Sequence, residues 1–518
     1  MAAREMSMKE KVLVVGAGPG GLAAAMVLAH RGYDVEVYEK HADVGGRNAA
    51  LEIDGYKFDV GPTFLMLPEI LDEIFSDCGR KVSDYLDIRP LDPMYRLRFK
   101  NEVDFLPTGD RERMAEEIER VFPGDSEGYA RFMEKEGKKF DRLYPCLRVP
   151  YDRLSAFFQS RFLKAIPYLD VTKTVHDRLA TYFRHPDMRV AMAFQSKYLG
   201  MSPWNCPAAF TILPYIEHKF GIHHPIGGLN AISHAMAKVV REEGGTIHLG
   251  TTVKEIVVES RRAAGLLLES GETVAADHVV INADFAYAMS RLISPEHRRK
   301  YTNEDLARRE YSCSIFMLYF GIKRRYEELP HHNIVFADDY QGNVEDISSR
   351  KVLSEDPSFY VQNACIVDPS LAPEGKSTLY VLVPVANLTG TIDWEKESRP
   401  LRDKIVEMMK TKLGLTDLEE QIEVEKITTP VEWRDGYNVY EGAVFNLAHN
   451  IGQMLYFRPH NRSEELESCY VVGGGTHPGS GLPTIWQSGR IAADMISGSA
   501  VKAREEKVPD SVETEKAA

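Results

Sequence analysis

Apolar and polar positions along this chain alternate between two periods. Val12–Val15 is an unbroken apolar run, the pattern of a short strand buried on both faces. Leu22 to His30 is rich in Ala and Leu, suits a helix and is stopped by Gly32, after which Val35–Tyr38 reads as a second strand. The same order returns in the middle of the chain. A Gly227-Gly228 turn precedes an amphipathic helix from about Leu229 to Glu243, which Gly244-Gly245 stops before a strand at Thr246–Leu249. Val253 to Val258 alternates as a further strand does, and His278–Ala288 supplies one more, ending near Asn282-Ala283. Close to the C-terminus, Tyr470–Val472 reads as a strand, Gly473–Gly481 as a glycine-rich loop, and Pro483 as the lead into a helix from about Thr484 to Ile496. These segments predict an α/β fold, a Rossmann-like domain assembled from residues 1–75, 226–290 and 434–498. Residues 76–225 and 291–433 shift to aromatic and charged helices with strand-like runs such as Leu379–Ala386, the composition of an inserted α+β substrate domain. Residues 499–518, charged and poor in apolar side chains, are expected to form a disordered tail.

Within the first insertion, Leu154, Phe157, Phe158, Phe162 and Ile166 fall along one helical stripe, with Arg161 and Lys164 at its edge and Pro167 marking the end. Two readings are open: a core helix under the substrate lobe, or a basic amphipathic helix lying in a membrane interface. Charge bears on the choice. The whole chain carries −14, which argues against nucleic acid as a partner, yet residues 138–189 hold 11 Lys/Arg against 5 Asp/Glu. Such a basic stretch is either a solvated face or a surface drawn to anionic lipid. Val12 to Ala29 lacks charge over 18 residues, but its glycines interrupt it and a strand follows, so a buried strand–turn–helix explains it better than a membrane span. The six cysteines lie far apart without a CxxC pair and read as buried free thiols in a reducing compartment.

The chemistry starts at the first turn. Gly16, Gly18 and Gly21 form G-x-G-x-x-G between strand and helix, and Glu39 ends the next strand 18 residues after Gly21. The first glycine makes the tight turn, the second lets backbone approach a pyrophosphate, and the third lets helix pack on strand. The helix start offers free N–H groups to phosphate. Glu39 is placed to bond ribose hydroxyls and to disfavour a 2′-phosphate. Gly45-Gly46-Arg47 follows just past this acid, and Gly61-Pro62-Thr63 comes some fifteen residues later. Arg47 can make charge-assisted bonds to phosphate or a neighbouring carboxylate. The His223-His224 and His331-His332 pairs lack the helical spacing of a zinc motif, so surface or structural roles suit them, and no metal site is expected.

With Glu39, Gly46-Arg47 and Gly61-Pro62, the sequence resembles the FAD-containing amine oxidase and carotenoid desaturase superfamily. The resemblance implies FAD, with Lys40 beside Glu39 in the adenosine site and the Val253 backbone against adenine. A flavin needs donors at its pyrimidine edge, where reduction places negative charge. The loop with Gly474, Gly475, Gly481, Leu482 and Pro483, opening the last helix, is the expected source of them. His477 and Trp486 are then expected near the ring, His477 either as a catalytic residue or as a loop-stabilising one. Tyr456–Pro483, Gly442–Gln453, His185–Ala209 and Leu379–Gly390 look like the bacterial-type phytoene desaturases and their relatives, over nearly the whole chain. That family implies a membrane-dissolved polyene such as phytoene or a related carotenoid intermediate, hydride transfer to flavin, and loss of a proton from the adjacent carbon. It also implies oxygen or a quinone as electron acceptor, and peripheral contact with the inner face of the cell membrane. Carotenoid isomerases and oxidases of the same family remain alternatives, as does an FAD oxidase of a soluble amine.

Overall fold

The computed structural model describes residues 9–499; the expected tail at 499–518 lies outside them apart from Ser499. Its organising element is a five-stranded, all-parallel sheet in the order Cys469–Val471, His278–Ile281, Lys11–Val15, Asp34–Tyr38, Thr246–His248. A parallel sheet must be covered on both faces. On one side lies the helix Pro19–His30, whose residues from Gly20 to Ala29 are all buried. It packs between the helices Leu482–Ser497 and Asn230–Glu242. Small residues set the closeness of that crossing: a Cβ on Gly489 would come within 2.4 Å of the Gly20 carbonyl oxygen. The other side is covered by the antiparallel strands Val253–Glu259, Arg262–Leu268 and Thr273–Ala275.

The second sheet has seven strands in the order Ile422–Thr428, Ser314–Ile322, Ser377–Val385, Phe359–Gln362, His332–Val335, Arg96–Arg98, Asp104–Phe105. Pairing is antiparallel except where Arg96–Arg98 runs alongside His332–Val335. The central strand Ser314–Ile322 is buried throughout and divides its side chains by the strand period of two. Phe316, Leu318 and Phe320 meet Ile405, Val406 and Met409 of the long helix Trp394–Leu413. Ile315, Met317 and Tyr319 face the opposite way, into the main core. A helical layer, including Arg111–Val121, Ser126–Leu143 and Ile212–Phe220, completes this half.

The stripe at 154–166 is not one helix. Leu154–Phe158 is a 3-10 turn, Gln159 is extended at φ −76° and ψ 144°, and Ser160–Ala165 is a separate short helix. The break resets the phase. Phe162 turns inward against Phe157, ring centres 4.7 Å apart, while Leu154, Phe158, Leu163 and Ile166 point outward. Val171 and Phe457 are exposed as well. Of the surface and structural roles open to the histidine pairs, burial rules out the surface one for His224, His331 and His332. All six cysteines are buried and unpaired. Among the described residues no helix is long and apolar enough to cross a membrane.

Candidate active site

The site begins where the first strand ends. Gly16 turns at φ +94°, and a Cβ there would sit 2.6 Å from the Asn282 carbonyl oxygen. Gly18 is confined by the same residue, with 2.7 Å from its would-be Cβ to the Asn282 side-chain nitrogen. Asn282 is held in place by donating to the Gly16 carbonyl at 3.1 Å. Gly18 is the helix N-cap and brings no capping side chain, so the first N–H groups of Pro19–His30 keep their capacity for a ligand.

Glu39 is buried at the end of the second strand. Its carboxylate accepts from Ala17 N at 2.8 Å and from His41 N at 3.0 Å, which fixes it at the edge of the turn. The Lys40 ammonium donates to the Gly436 carbonyl at 2.7 Å. Burial lowers its proton affinity and the Glu39 charge opposes that shift. Gly46 opens a short turn that carries Arg47, whose guanidinium donates to the Val444 carbonyl at 2.6 Å. Burial lowers the Arg47 pKa and raises that of Asp284, each charge opposing the other's shift. Gly61 lies under this turn, where a Cβ would be 2.5 Å from the Arg47 carbonyl oxygen. At the far end Ser480 Oγ donates to the Phe445 carbonyl at 2.5 Å, and Gly481, at φ +111°, caps the helix Leu482–Ser497.

All these groups border a single cavity of about 410 Å³. Of the expected cofactor residues it is lined by Gly16, Gly18, Glu39, Lys40, Gly46, Arg47, Gly61, Pro62, Thr63, Val253, Gly474, Gly481, Leu482 and Pro483. Gly21 is set back, its would-be Cβ 2.3 Å from the Gly16 carbonyl oxygen, which suits the packing role of the third glycine. Gly475 does not line the cavity and is wedged between Asn446 and Phe285. FAD fits this donor set: two helix starts on one cavity, glycines wherever a Cβ would obstruct, and a fixed acid at one end. Asn282, Asp284, Phe445 and Ser480 also line it and were not anticipated as site residues. Only Asn282 had a signal, since it ends a predicted strand at the mouth of the fold.

Two residues expected near the ring stand back from the cavity. His477 and Trp486 are fully buried and neither lines the cavity. The His477 ring packs edge-on against Tyr151 at 5.1 Å, and burial lowers its pKa to about 3. Lys197, by contrast, reaches the cavity wall. Its proton affinity is lowered by burial, with Cys313 opposing.

A family model described as flavin containing amine oxidoreductase matches residues 19–497. The chain belongs to this family. Among its relatives, a 4,4'-diapophytoene desaturase (4,4'-diapolycopene-forming) of Methylomonas sp is 50% identical over 95% of this chain and 96% of that protein. A zeta-carotene-forming phytoene desaturase of Myxococcus xanthus is 40% identical over 94% of this chain and 93% of that one. The fold extends to a solved putrescine oxidase bound to putrescine, with TM-score 0.60 at 16% identity, covering 95% and 99% of the two chains. The cofactor is FAD and the activity is carotenoid desaturation, an oxidation at CH–CH groups. The family membership and the α/β architecture agree with the reading of the sequence.

Proposed function

We propose that the substrate is a linear polyene taken from a membrane, with 4,4'-diapophytoene the first candidate and phytoene the second. The observation that carries this reading is the continuation of the cofactor cavity into a chamber bordered by Phe64, Phe194, Ile334, Phe336, Phe359 and Leu382. A hydrocarbon offers no polar handle, so shape and exclusion of water must orient it. The order of candidates follows the Methylomonas relative, named for that substrate, with which this chain shares half its residues.

Bound in the cradle, FAD supplies the acceptor for a hydride drawn from the polyene. The chain's own residues do the rest. Aromatic walls hold one C–C bond in place and keep water from an electron-poor carbon. Lys197 also lines the cavity, where a positive charge would disfavour an electron-poor carbon, and burial lowers its proton affinity. Oxygen or a quinone is the class of acceptor needed to restore the cofactor.

Delivery is through the exposed apolar face. Leu154, Phe158, Leu163, Ile166 and Val171 form it, with Phe457 nearby through the contact of Phe157 with Tyr456, and Arg153, Lys164 and Lys173 are exposed around it. An apolar face ringed by cations suits the headgroup boundary of an anionic bilayer. On this reading the protein works peripherally, at the inner face of the cell membrane. The substrate reading is tested by incubating the FAD-loaded protein with each polyene in liposomes. Longer conjugation in the product supports it, and conversion of phytoene alone moves the assignment to the second candidate.

A further inference from the structure

The proton lost with each double bond needs a way out of an apolar chamber, and among the described residues a string of polar groups leads from it to the surface. Thr63 and Tyr360 line the cavity, and their hydroxyls are 2.9 Å apart. The Tyr360 hydroxyl lies 2.7 Å from His332 Nδ1. The His332 ring is stacked on Phe64 at 4.2 Å and meets His331 edge-on with ring centres 4.2 Å apart. His331 in turn meets His224 at 4.8 Å. His224 Nε2 is 3.3 Å from Asp368 Oδ2, and Asp368 Oδ1 accepts from the Ser370 hydroxyl at 2.5 Å. Ser370 is exposed.

His224 lies in the strand His223–Pro225, His332 opens the strand His332–Val335 with His331 just before it, and all three are buried. Four of their nitrogens, His332 Nε2, both of His331 and His224 Nδ1, are buried without a protein hydrogen-bond partner. Buried polar atoms are rarely left so, and each such group calls for a reason. Metal binding is not that reason, since no group of these side chains is arranged to hold an ion among the described residues. No hydrogen bond joins the adjacent rings, whose centres lie 4.2 and 4.8 Å apart, so the relay passes between them through buried water.

We propose that Tyr360, His332, His331, His224 and Asp368 form a relay that carries the desaturation proton from the cavity to the surface at Ser370. This inference rests on the desaturation reading. The C–H bond next to the electron-poor carbon breaks, and its electron pair becomes the new π bond. The proton passes to the Tyr360 oxygen as the phenolic proton moves to His332 Nδ1. His332 releases its other proton outward, and the excess proton reaches water through the Asp368 carboxylate. Titratable and charged groups beside the string are Asp59, near His224 and Tyr360, Tyr380, with its ring 5.8 Å from that of Tyr360, and Cys365 and Arg89 near Asp368. Burial lowers the proton affinity of His331 and His332 far below the usual imidazole range. Neutral rings of this kind can accept from a strongly acidic carbon and do not retain the proton.

The test uses FAD-loaded, full-length protein and two variants. His331→Phe removes the middle of the string, and Asp368→Asn alters its outer end far from the substrate, so that one variant remains if the other fails to fold. With polyene in liposomes, the relay predicts a solvent deuterium effect on product formation in the wild type. It also predicts a loss of roughly tenfold or more in that rate for either variant, with FAD content unchanged. A second readout is independent of turnover: in histidine-labelled protein, Asp368→Asn should shift the 15N resonances of His224, His331 and His332 together. Unchanged rates and isotope effects in both variants, or a resonance shift confined to His224, would overturn the relay. A wild type that turns over no polyene refutes the desaturation reading instead, and coupled resonances then show that the string itself is real.

Discussion

Replacing Phe158 and Ile166 by serine removes apolar surface from the face assigned to membrane contact without touching the cavity. Phe158 is 78% exposed and Ile166 is 48% exposed, so neither contributes much to the folded core. Burying a whole side chain of this size is worth about 1.5–3 kcal/mol, so the exposed parts amount to about 2 kcal/mol for Phe158 and about 1 kcal/mol for Ile166 on entering the bilayer. Together that is about 3 kcal/mol, a weakening of roughly 100-fold in partitioning. Co-sedimentation with anionic liposomes measures it directly. The double variant should keep its FAD and its unfolding midpoint while its binding curve moves by about two decades in lipid concentration. An unmoved curve with intact FAD would refute the assignment of this face, and a lost midpoint would mean that these side chains are part of the core.

Other consequences follow from the geometry. Glu39→Ala removes the carboxylate fixed by Ala17 and His41, and FAD retention should fall by roughly 10–100-fold, the worth of one or two charge-assisted bonds, as read by dialysis and visible absorbance. Gly61→Ala places a methyl group 2.5 Å from the Arg47 carbonyl oxygen, and the purified variant should be largely colourless. Glu217 is buried with Tyr95 at 3.0 Å and Gln195 at 2.7 Å, and desolvation raises its pKa to about 7. Its folded-state value is raised, so its contribution to stability is full below pH 4.5 and is lost as pH rises through about 7. Glu217→Gln should therefore raise stability by up to ~3 kcal/mol above pH 7 and flatten the fall between the two values, measured by denaturant titration at several pH values.

Much of the cofactor site was readable because its logic is local. Gly16, Gly18 and Gly21 are constrained by a single strand–turn–helix, and Glu39 stands at the end of the next strand in the same unit, so spacing alone carries the geometry. The join between distant segments was not readable. Nothing in the neighbourhood of Asn282 indicates that its side chain braces Gly16, a contact made 266 residues away in sequence. The same holds for Tyr360, His332 and His224, each unremarkable in its own strand and connected only once the strands pack. The stripe at 154–166 misled for a different reason. Helical periodicity assumes constant phase, and one extended residue, Gln159, resets it, which sends Phe162 inward and leaves Phe158 outside. His477 drew attention by standing in a glycine-rich loop, but it is the loop backbone that borders the cavity, while the ring packs behind it against Tyr151.

The central claim, that bound FAD oxidises a polyene drawn from a membrane, is tested most directly by an anaerobic single turnover. The FAD-loaded protein is mixed with liposomes carrying 4,4'-diapophytoene, and the flavin absorbance and the extracted pigment are followed together. The account predicts bleaching of the flavin matched by a product with one more double bond per cofactor reduced. A flavin that stays oxidised with 4,4'-diapophytoene and with phytoene, yet bleaches on addition of putrescine, would contradict it.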